Sequence, residues 1–305
     1  MKAGFISVTG RPNVGKSSLI NALVGQKVSI VSPKAQTTRD RILGILTEKE
    51  RQMIFVDTPG IHKPLNKLGE YMEECVRSSL GGVDVIIVVM DVSKSITDKE
   101  LAFAENCLRS PVPIFLVLNK TDLCGYEQIY PVLSRLSYLL VPDGKRRAAK
   151  EIVPVSAKKG KNIDTLKELI AGYLPEGGPL YPEDEITDKS ERYMICEIVR
   201  EKALLLLGDE IPHGVGVEVR DMKYDERGVA HIAIDIVVEK QSHKPIVIGD
   251  GGAKLKSIAE AARTDIEEML GAKVFTEMFV KVRKNWRNDP LTMNDIGYNA
   301  GKNLR

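Results

Sequence analysis

The chain has 305 residues, more than one average domain needs, and this length favours two domains. Its hydrophobic content of 43% and charged content of 28% are those of an ordinary soluble globular protein. The longest apolar runs have the length of a strand, which argues against a membrane-spanning helix. The N-terminal residues lead straight into the first predicted strand, so we expect no signal peptide.

The four cysteines show no paired spacing, and the four histidines form no metal-ligand pattern. We therefore expect reduced thiols in a cytosolic protein, at Cys75, Cys107, Cys124 and Cys196. The net charge of +2 is unevenly distributed: residues 1–180 carry 25 Lys and Arg against 19 Asp and Glu, whereas residues 181–305 carry 19 against 23. A nucleic-acid site in the second half must therefore be a local basic stripe.

The first 175 residues alternate short apolar runs with helical patterns. Strands are predicted at 5–9, 41–47, 52–57, 84–91, 113–119 and 151–156, and helices around 16–25, 68–81, 97–109, 126–140 and 162–174. Continuous β-branched runs are typical of parallel strands buried on both faces, while a short polar turn after residue 47 predicts an antiparallel hairpin at the sheet edge. This pattern predicts a doubly wound α/β domain whose ligand lies at the carboxyl ends of the strands.

The segment GRPNVGKS at 10–17 fits the P-loop pattern and lies between a predicted strand and a predicted helix. Its backbone N–H groups and the helix N-terminus would cradle phosphates, and Lys16 would reach the β and γ oxygens. The Ser17 hydroxyl is predicted to bind Mg²⁺. The residues assigned to nucleotide binding here are Gly10, Arg11, Pro12, Asn13, Val14, Gly15, Lys16, Ser17 and Ser18.

Two later segments are predicted to complete the phosphate site. Asp57 follows the third strand and would hold Mg²⁺, usually through water, and the N–H of Gly60 would sense the γ-phosphate. The polar segment AQTTRD at 35–40 is predicted to be a mobile switch loop in which Thr38, favoured over Thr37, binds both Mg²⁺ and the γ-phosphate. The nucleotide contacts predicted after the third strand are Asp57, Thr58, Pro59, Gly60 and Ile61; a simple turn is the alternative interpretation.

The segment NKTD follows the fifth strand and is predicted to select the base. The Asp122 carboxylate can accept hydrogen bonds from N1–H and the 2-amino group of guanine, whereas adenine would leave this carboxylate unpaired. Lys120 can lie along the purine face, and Asn119 can tie this loop to the P-loop. The full set of predicted base contacts is Asn119, Lys120, Thr121 and Asp122, with the backbone of Ser156, Ala157 and Lys158 facing guanine O6.

Together these motifs resemble the set found in translation-factor-related and Ras-like GTPases, which implies Mg²⁺-dependent hydrolysis of GTP to GDP and phosphate. The expected catalytic residues are Lys16, Thr38, Gly60 and Asn13. Ile61 stands where some of these GTPases carry a glutamine, and it cannot orient a water molecule by hydrogen bonding. Asn13 resembles the residue of GTPases that recruit potassium in place of an arginine finger; K⁺ is thus a candidate second cation. The alternative is that Asn13 only shapes the loop.

The second half is predicted to be a smaller α+β domain at 191–305, joined to a GTPase domain at 1–175 by a linker at 176–190 rich in Pro, Gly and acids. We expect a helix at 191–207, strands at 215–223 and 229–239, then a glycine-rich loop, a long helix and a final strand. Gly249, Asp250, Gly251 and Gly252 match the GxxG loop with which KH domains clamp a nucleic-acid backbone; a plain helix-starting turn is the alternative.

The remaining predicted RNA contacts follow the GxxG loop and are mostly basic. They are Lys254, Lys256, Lys281, Arg283, Lys284, Trp286 and Arg287. Trp286 could stack on a base, and packing against the sheet is the alternative. Asp250 places a negative charge in the loop, and the second half has a net charge of −4, so strong nonspecific RNA affinity is not expected.

With both halves in view, the whole chain resembles the Era-like family of bacterial GTPases, which pair a P-loop GTPase domain with a C-terminal type II KH domain. The stretches KAQTTRDRI, DTPGIHKP and VIGDGGAKLKSI carry this resemblance. It implies a cytoplasmic monomer whose nucleotide state gates binding to the 3′ end of 16S ribosomal RNA in the 30S subunit during ribosome assembly, with peripheral membrane association left open. The alternative is a signalling switch whose effector is a protein or membrane surface.

Overall fold

The computed structural model describes residues 1–34, 36–60, 64–79, 81–208, 211 and 214–298. The chain forms two compact units. The first comprises Met1–Val31, Thr38–His62 and Glu73–Asp188, and the second comprises Ser32–Thr37, Lys63–Met72 and Lys189–Arg305. The division into a domain at 1–175, a linker and a domain at 191–305 stays a prediction. Among the residues described, no helix is both long and apolar enough to cross a membrane.

A six-stranded sheet forms the centre of the first unit. Its strands are β1 (Lys2–Gly10), β2 (Ile42–Glu48), β3 (Arg51–Asp57), β4 (Val85–Asp91), β5 (Ile114–Asn119) and β6 (Glu151–Pro154). Their spatial order is β2-β3-β1-β4-β5-β6, and neighbouring strands run parallel except for the antiparallel pair β2 and β3. The predicted edge hairpin is therefore confirmed.

Helices cover both faces of this sheet. The helices of the N-terminal half are α1 (Lys16–Val24), α2 (Lys67–Ser78), α3 (Asp98–Cys107), α4 (Tyr126–Leu136) and α5 (Ile163–Ala171). Successive β4 residues point to opposite faces: Ile87 joins a cluster with Leu19 of α1, whereas Val88 joins a cluster with Leu136 of α4. Burial on both faces explains the continuous apolar strands and confirms the doubly wound α/β prediction.

The chain stays against the first unit for some distance after α5. The buried side chain of Gln52 accepts hydrogen bonds from the N–H groups of Leu180 (2.6 Å) and Tyr181 (3.0 Å), and its amide donates to the Tyr181 carbonyl (2.8 Å). The Asp188 carboxylate accepts a hydrogen bond from the Leu43 N–H at 2.9 Å. The segment predicted to be a linker thus runs along the edge hairpin.

The second unit combines helices with a three-stranded sheet. Its elements are α6 (Glu191–Leu206), β7 (Gly216–Tyr224), β8 (Ala230–Val238), α7 (His243–Ile248), α8 (Ala253–Leu270), β9 (Val274–Val282) and α9 (Pro290–Asp295). Strand β8 lies in the middle, antiparallel to β7 and parallel to β9. The prediction of a loop before α8 was wrong in part, because α7 forms there and buries Val247 in the core with Ile198 and Ile258.

Candidate functional site

The P-loop connects β1 to α1 and folds around the Lys16 side chain. Gly15 has a φ of +94°, and a Cβ at this position would lie 2.4 Å from Asn119 Nδ2, so only glycine fits. The Lys16 ammonium is buried and donates to the carbonyls of Gly10 and Arg11, both at 3.3 Å. The loop therefore holds a positive charge next to the N-terminus of α1, where anions are favoured.

Three oxygen-bearing side chains meet at the end of β3. Ser17 Oγ donates to Asp57 Oδ2 at 2.8 Å and lies 3.0 Å from Thr38 Oγ1. Asp57 is fully buried, and its Oδ1 accepts no hydrogen bond within the part of the chain that the structure describes. Hard oxygen ligands with one unsatisfied buried carboxylate oxygen fit a Mg²⁺ ion. Thr37 instead donates its hydroxyl to the Lys34 carbonyl at 2.6 Å.

Burial disfavours the charged forms of Lys16 and Asp57, the two ionisable groups beside the predicted phosphate site. Desolvation lowers the pKa of Lys16, and the negative charge of Asp57 works against that change. Desolvation likewise raises the pKa of Asp57, while Lys16 and the hydrogen bond from Ser17 oppose the rise. Each charge is therefore stabilised mainly by its neighbours, and a bound cation and phosphate would add to this network.

The backbone after β3 runs close to the P-loop. A Cβ on Gly60 would lie 2.8 Å from the ring of Pro12, so no side chain fits at this position. Thr58 is buried and donates its hydroxyl to the Val8 carbonyl at 3.3 Å, which fixes the start of the segment. Ile61 lies outside the described residues, so the expectation about the missing glutamine rests on the sequence.

The loops after β5 and β6 are joined by the side chains predicted to bind the base. Asn119 Nδ2 donates to the Val14 carbonyl at 3.0 Å, and Asn119 Oδ1 accepts from the Ala157 N–H at 3.1 Å. Ser156 Oγ donates to Asp122 at 2.6 Å. The contact of Ala157 with guanine O6 stays a prediction; in this structure the Ala157 N–H donates to Asn119.

Asp91 is a site residue that the sequence analysis missed. Lys120 donates from its ammonium to both Asp91 and the Asn13 carbonyl, each at 2.6 Å. Asp91 ends β4 and also accepts from the Ser93 N–H at 3.0 Å. Desolvation alone would raise the pKa of Asp91, but the hydrogen bonds from Lys120 and Ser93 outweigh it and lower the pKa. An acid at the carboxyl end of a buried strand was the available signal.

Some predicted nucleotide contacts use their side chains elsewhere. The Val14 side chain belongs to the hydrophobic core of the first unit. The Arg11 guanidinium lies 3.3 Å from Glu100 and 3.3 Å from the hydroxyl of Thr97, both near the start of α3. Any contact of Val14 or Arg11 with a nucleotide through the backbone N–H groups stays a prediction.

The predicted GxxG loop lies between α7 and α8. Gly251 and Gly252 have φ values of +55° and +86°, and α8 starts directly after Gly252. Asp250 and Gly251 are exposed, and Lys254 and Lys256 lie on the first turns of the helix. An exposed glycine-rich turn at the N-terminus of an 18-residue helix can approach a phosphate closely.

Three of the predicted basic RNA contacts form ion pairs shorter than 3 Å with acids of the second unit. Lys281 lies 2.5 Å from Asp235. Arg283 lies 2.9 Å from Glu218, and Arg287 lies 2.5 Å from Glu239. Their charges are thus partly neutralised within the chain. Lys256 lies 3.9 Å from Glu260, and Lys254 and Lys284 complete the predicted basic set.

Trp286 lies inside the second unit. Its relative exposure is 0%, its indole N–H donates to the Gly214 carbonyl at 3.1 Å, and its ring stacks on Tyr298 with centroids 6.2 Å apart. A base cannot stack on a ring that has no solvent-exposed face. The prediction that Trp286 contacts RNA is therefore wrong for this structure, and the alternative of packing holds.

Two family models match the two halves of the chain. Residues 5–120 match the model described as a 50S ribosome-binding GTPase, and residues 210–287 match the KH domain. GTPase Era of Clostridium botulinum strain Hall is 47% identical over 304 residues, which cover 100% of this chain and 99% of the relative. GTPase Era of Clostridium novyi is 47% identical over 297 residues, covering 97% and 99%.

Two solved structures are similar over nearly the full length. The crystal structure of an Era variant from Aquifex aeolicus bound to GDP and AlF4⁻ has a TM-score of 0.90 and 40% identity, covering 98% of this chain and 100% of that one. Era in complex with MgGDPNP and nucleotides 1506–1542 of 16S ribosomal RNA also has a TM-score of 0.90 and 40% identity, covering 98% and 99%. Full-length identity at this level, in a chain with a P-loop, an NKTD loop and a GxxG loop, shows that the chain belongs to the Era family of GTPases.

Proposed function

We propose that this GTPase couples its nucleotide state to binding of the 3′ end of small-subunit ribosomal RNA during assembly of the 30S subunit in the cytoplasm. The carrying observation is the likeness, at 40% identity and a TM-score of 0.90, to an Era complex that contains both MgGDPNP and a 16S ribosomal RNA segment. The exposed GxxG turn at the start of α8 supports the same proposal.

The roles of the nucleotide residues follow from their chemistry. Lys16 would bind the β- and γ-phosphates, and Ser17, Thr38 and Asp57 would hold Mg²⁺. The ion supplies charge neutralisation at the phosphate oxygens when it is bound. Asp122, hydrogen-bonded to Ser156, would read N1–H and the 2-amino group of guanine.

Chemical footprinting of 30S subunits with the full-length protein tests the RNA part of this proposal. With a non-hydrolysable GTP analogue and Mg²⁺, we expect protection of the 3′ segment of 16S ribosomal RNA. The variant Gly251→Asp/Gly252→Asp should lose this protection, because it adds negative charge where a phosphate would approach. Gly177→Asp/Gly178→Asp adds the same charge at two other glycines where a Cβ meets nothing within 4 Å, and it serves as the control for charge but not for the left-handed strain at Gly251 and Gly252.

The competing function is a signalling switch that acts on a protein or a membrane surface. Capture of one protein, or of anionic vesicles, by the GTP-loaded chain after ribonuclease treatment, together with no 3′ protection, would replace our proposal with that one.

We also propose that the chain is a monomer. Sedimentation of the nucleotide-bound chain should then give a single species with the mass of a monomer.

We also infer that Asn13 takes part in binding K⁺. It occupies an exposed position of the P-loop with a φ of +65°, and its amide oxygen is a hard ligand of the kind alkali cations accept. GTP turnover should be faster in K⁺ than in Na⁺, and Asn13→Ala should remove this difference. Equal turnover of the unmodified chain in the two salts would leave Asn13 with only a role in shaping the loop.

A further inference from the structure

Arg200 is a buried arginine of α6 whose guanidinium binds two different partners. Its side chain is 1% exposed, and its Nε donates to Glu197 at 2.7 Å, with a second hydrogen bond from Nη2 to the same carboxylate. The same Nη2 donates to the backbone carbonyl of Thr37 at 2.5 Å. Arg200, Glu197 and Thr37 all belong to the second unit.

The guanidinium keeps its charge in this buried position. Desolvation would lower the pKa of Arg200, but the neighbouring Glu197 carboxylate raises it above its ordinary value. The hydrogen bond to Thr37 is therefore charge-assisted, and such bonds are about twice as strong as neutral ones. Arg200 thus does more than neutralise Glu197, because its Nη2 also donates to the main-chain carbonyl of Thr37.

Thr37 is fixed on its side-chain end as well. Its hydroxyl donates to the Lys34 carbonyl at 2.6 Å and lies 3.1 Å from Ser32 Oγ. The next residue along the chain, Thr38, has its hydroxyl 3.0 Å from Ser17 Oγ. Since the Thr37 carbonyl and the Thr38 amide form one planar peptide group, holding this carbonyl restricts the direction of the Thr38 side chain.

We propose that Arg200 is a positioning residue for GTP hydrolysis: it holds the Thr37 carbonyl and thereby directs the Thr38 hydroxyl toward Mg²⁺ and the γ-phosphate. This inference rests on the metal-binding role of Thr38 in the proposed function. The direction of the Thr38 side chain thus depends on a buried arginine of α6 that holds the preceding peptide group. By reciprocity, binding of GTP also stabilises the contact between Arg200 and Thr37.

The test compares GTP-analogue affinity with GDP affinity in the full-length chain with Mg²⁺. The variant Glu197→Gln/Arg200→Met removes the donor without leaving a lone buried carboxylate. We expect it to bind the GTP analogue about tenfold more weakly, or about 1.4 kcal/mol, and GDP as before, since GDP lacks the γ-phosphate. GTP turnover should fall in parallel. Glu197→Gln alone keeps the donor; it should lower the stability of the chain, because the buried guanidinium loses its counter-charge, but the folded protein should keep the parental ratio of the two affinities.

Two further variants make the result decisive. Arg192→Met removes an exposed arginine from the same helix and should change neither affinity. Arg200→Lys keeps a positively charged donor, so its preference for the GTP analogue over GDP should lie between those of the double variant and the parent chain. If the double variant does not fold, the affinity ratio of Arg200→Lys is measured in its place. A folded double variant with the parental ratio of the two affinities overturns the proposal, and so does an equal loss of both nucleotides.

Thr38→Ala separates this inference from the proposed function. If Thr38→Ala leaves GTP-analogue affinity unchanged, the assigned role of Thr38 in Mg²⁺ binding fails, and the Arg200 proposal fails with it. If Thr38→Ala weakens the affinity and the double variant does not, only the role of Arg200 is refuted.

Discussion

A single carboxylate, that of Asp91, helps to hold the ammonium of Lys120, a residue of the NKTD loop, against the P-loop. Lys120 lies 2.6 Å from both Asp91 and the Asn13 carbonyl. We expect Asp91→Asn to weaken a charge-assisted hydrogen bond and to let Lys120 leave this position. Loss of about 1.4 kcal/mol would raise the rate of GDP release about tenfold, which stopped-flow measurement with a fluorescent GDP can detect.

The control for this prediction is Asp98→Asn. Asp98 also pairs with a basic side chain, Arg135, but its side chain is 96% exposed, and surface pairs of this kind contribute little. GDP release from the control should match that of the parent chain. If Asp91→Asn also releases GDP at the parental rate, the Asn13 carbonyl alone is enough to hold Lys120.

At the scale of elements, the loop between α7 and α8 contains glycines with different physical requirements. A Cβ on Gly249 would lie 2.6 Å from Lys254 Cβ, whereas a Cβ on Gly251 meets nothing within 4 Å. We expect Gly249→Ala to destabilise the second unit by about 1–3 kcal/mol through overpacking. The left-handed φ of +73° at this position adds backbone strain to that cost. Gly251→Ala should cost only the left-handed strain of about 1 kcal/mol.

Urea unfolding, followed by the fluorescence of the buried Trp286, measures both variants in the same unit. Gly208→Ala is the control for strain in open space, because its φ is +58° and a Cβ there meets nothing within 4 Å. Equal midpoints for Gly249→Ala and Gly251→Ala would mean that the first turn of α8 moves aside at no cost.

The segment after α5 gives a second prediction at this scale. Gln52 satisfies two N–H groups and one carbonyl of Leu180 and Tyr181. Gln52→Ala should leave these groups unsatisfied at a cost of about 1–3 kcal/mol and release the segment from the edge hairpin. Limited proteolysis should then cut near residue 180 faster than in the parent chain. An exposed change on the same hairpin, Lys49→Ala, should leave the cleavage rate unaltered.

Elements that depend on local pattern were predictable from the sequence, and those that depend on distant partners were not. The apolar period of β4 and the polar turn between β2 and β3 predicted the sheet and its edge hairpin. Helix α7 was missed because Val247 belongs to an apolar run that becomes helical only when it packs on a distant core. Asp91 lies 29 residues from Lys120 in the chain, and no motif joins them.

At the scale of the whole molecule, the distribution of charge limits how RNA can be bound. The second half carries 19 basic and 23 acidic residues. Within it, Lys281, Arg283 and Arg287 already face acids at 2.5–2.9 Å. Because the charges of these three cations are partly neutralised within the chain, affinity for RNA would depend on contacts to bases and backbone in a groove rather than on a broad basic surface.

The salt dependence of RNA binding measures this directly. About three phosphate contacts, from Lys254, Lys256 and Lys284, would give a slope of about −2 in a plot of log affinity against log salt, or about a 20-fold loss between 50 and 200 mM. Contacts from six or more cations would give about a 300-fold loss over the same range. Titration of a single-stranded RNA with the 3′-terminal sequence, at constant Mg²⁺ and GTP analogue, distinguishes the two. Lys256→Gln should reduce the slope by about 0.7, whereas Lys223→Gln, at an equally exposed lysine of β7, should not.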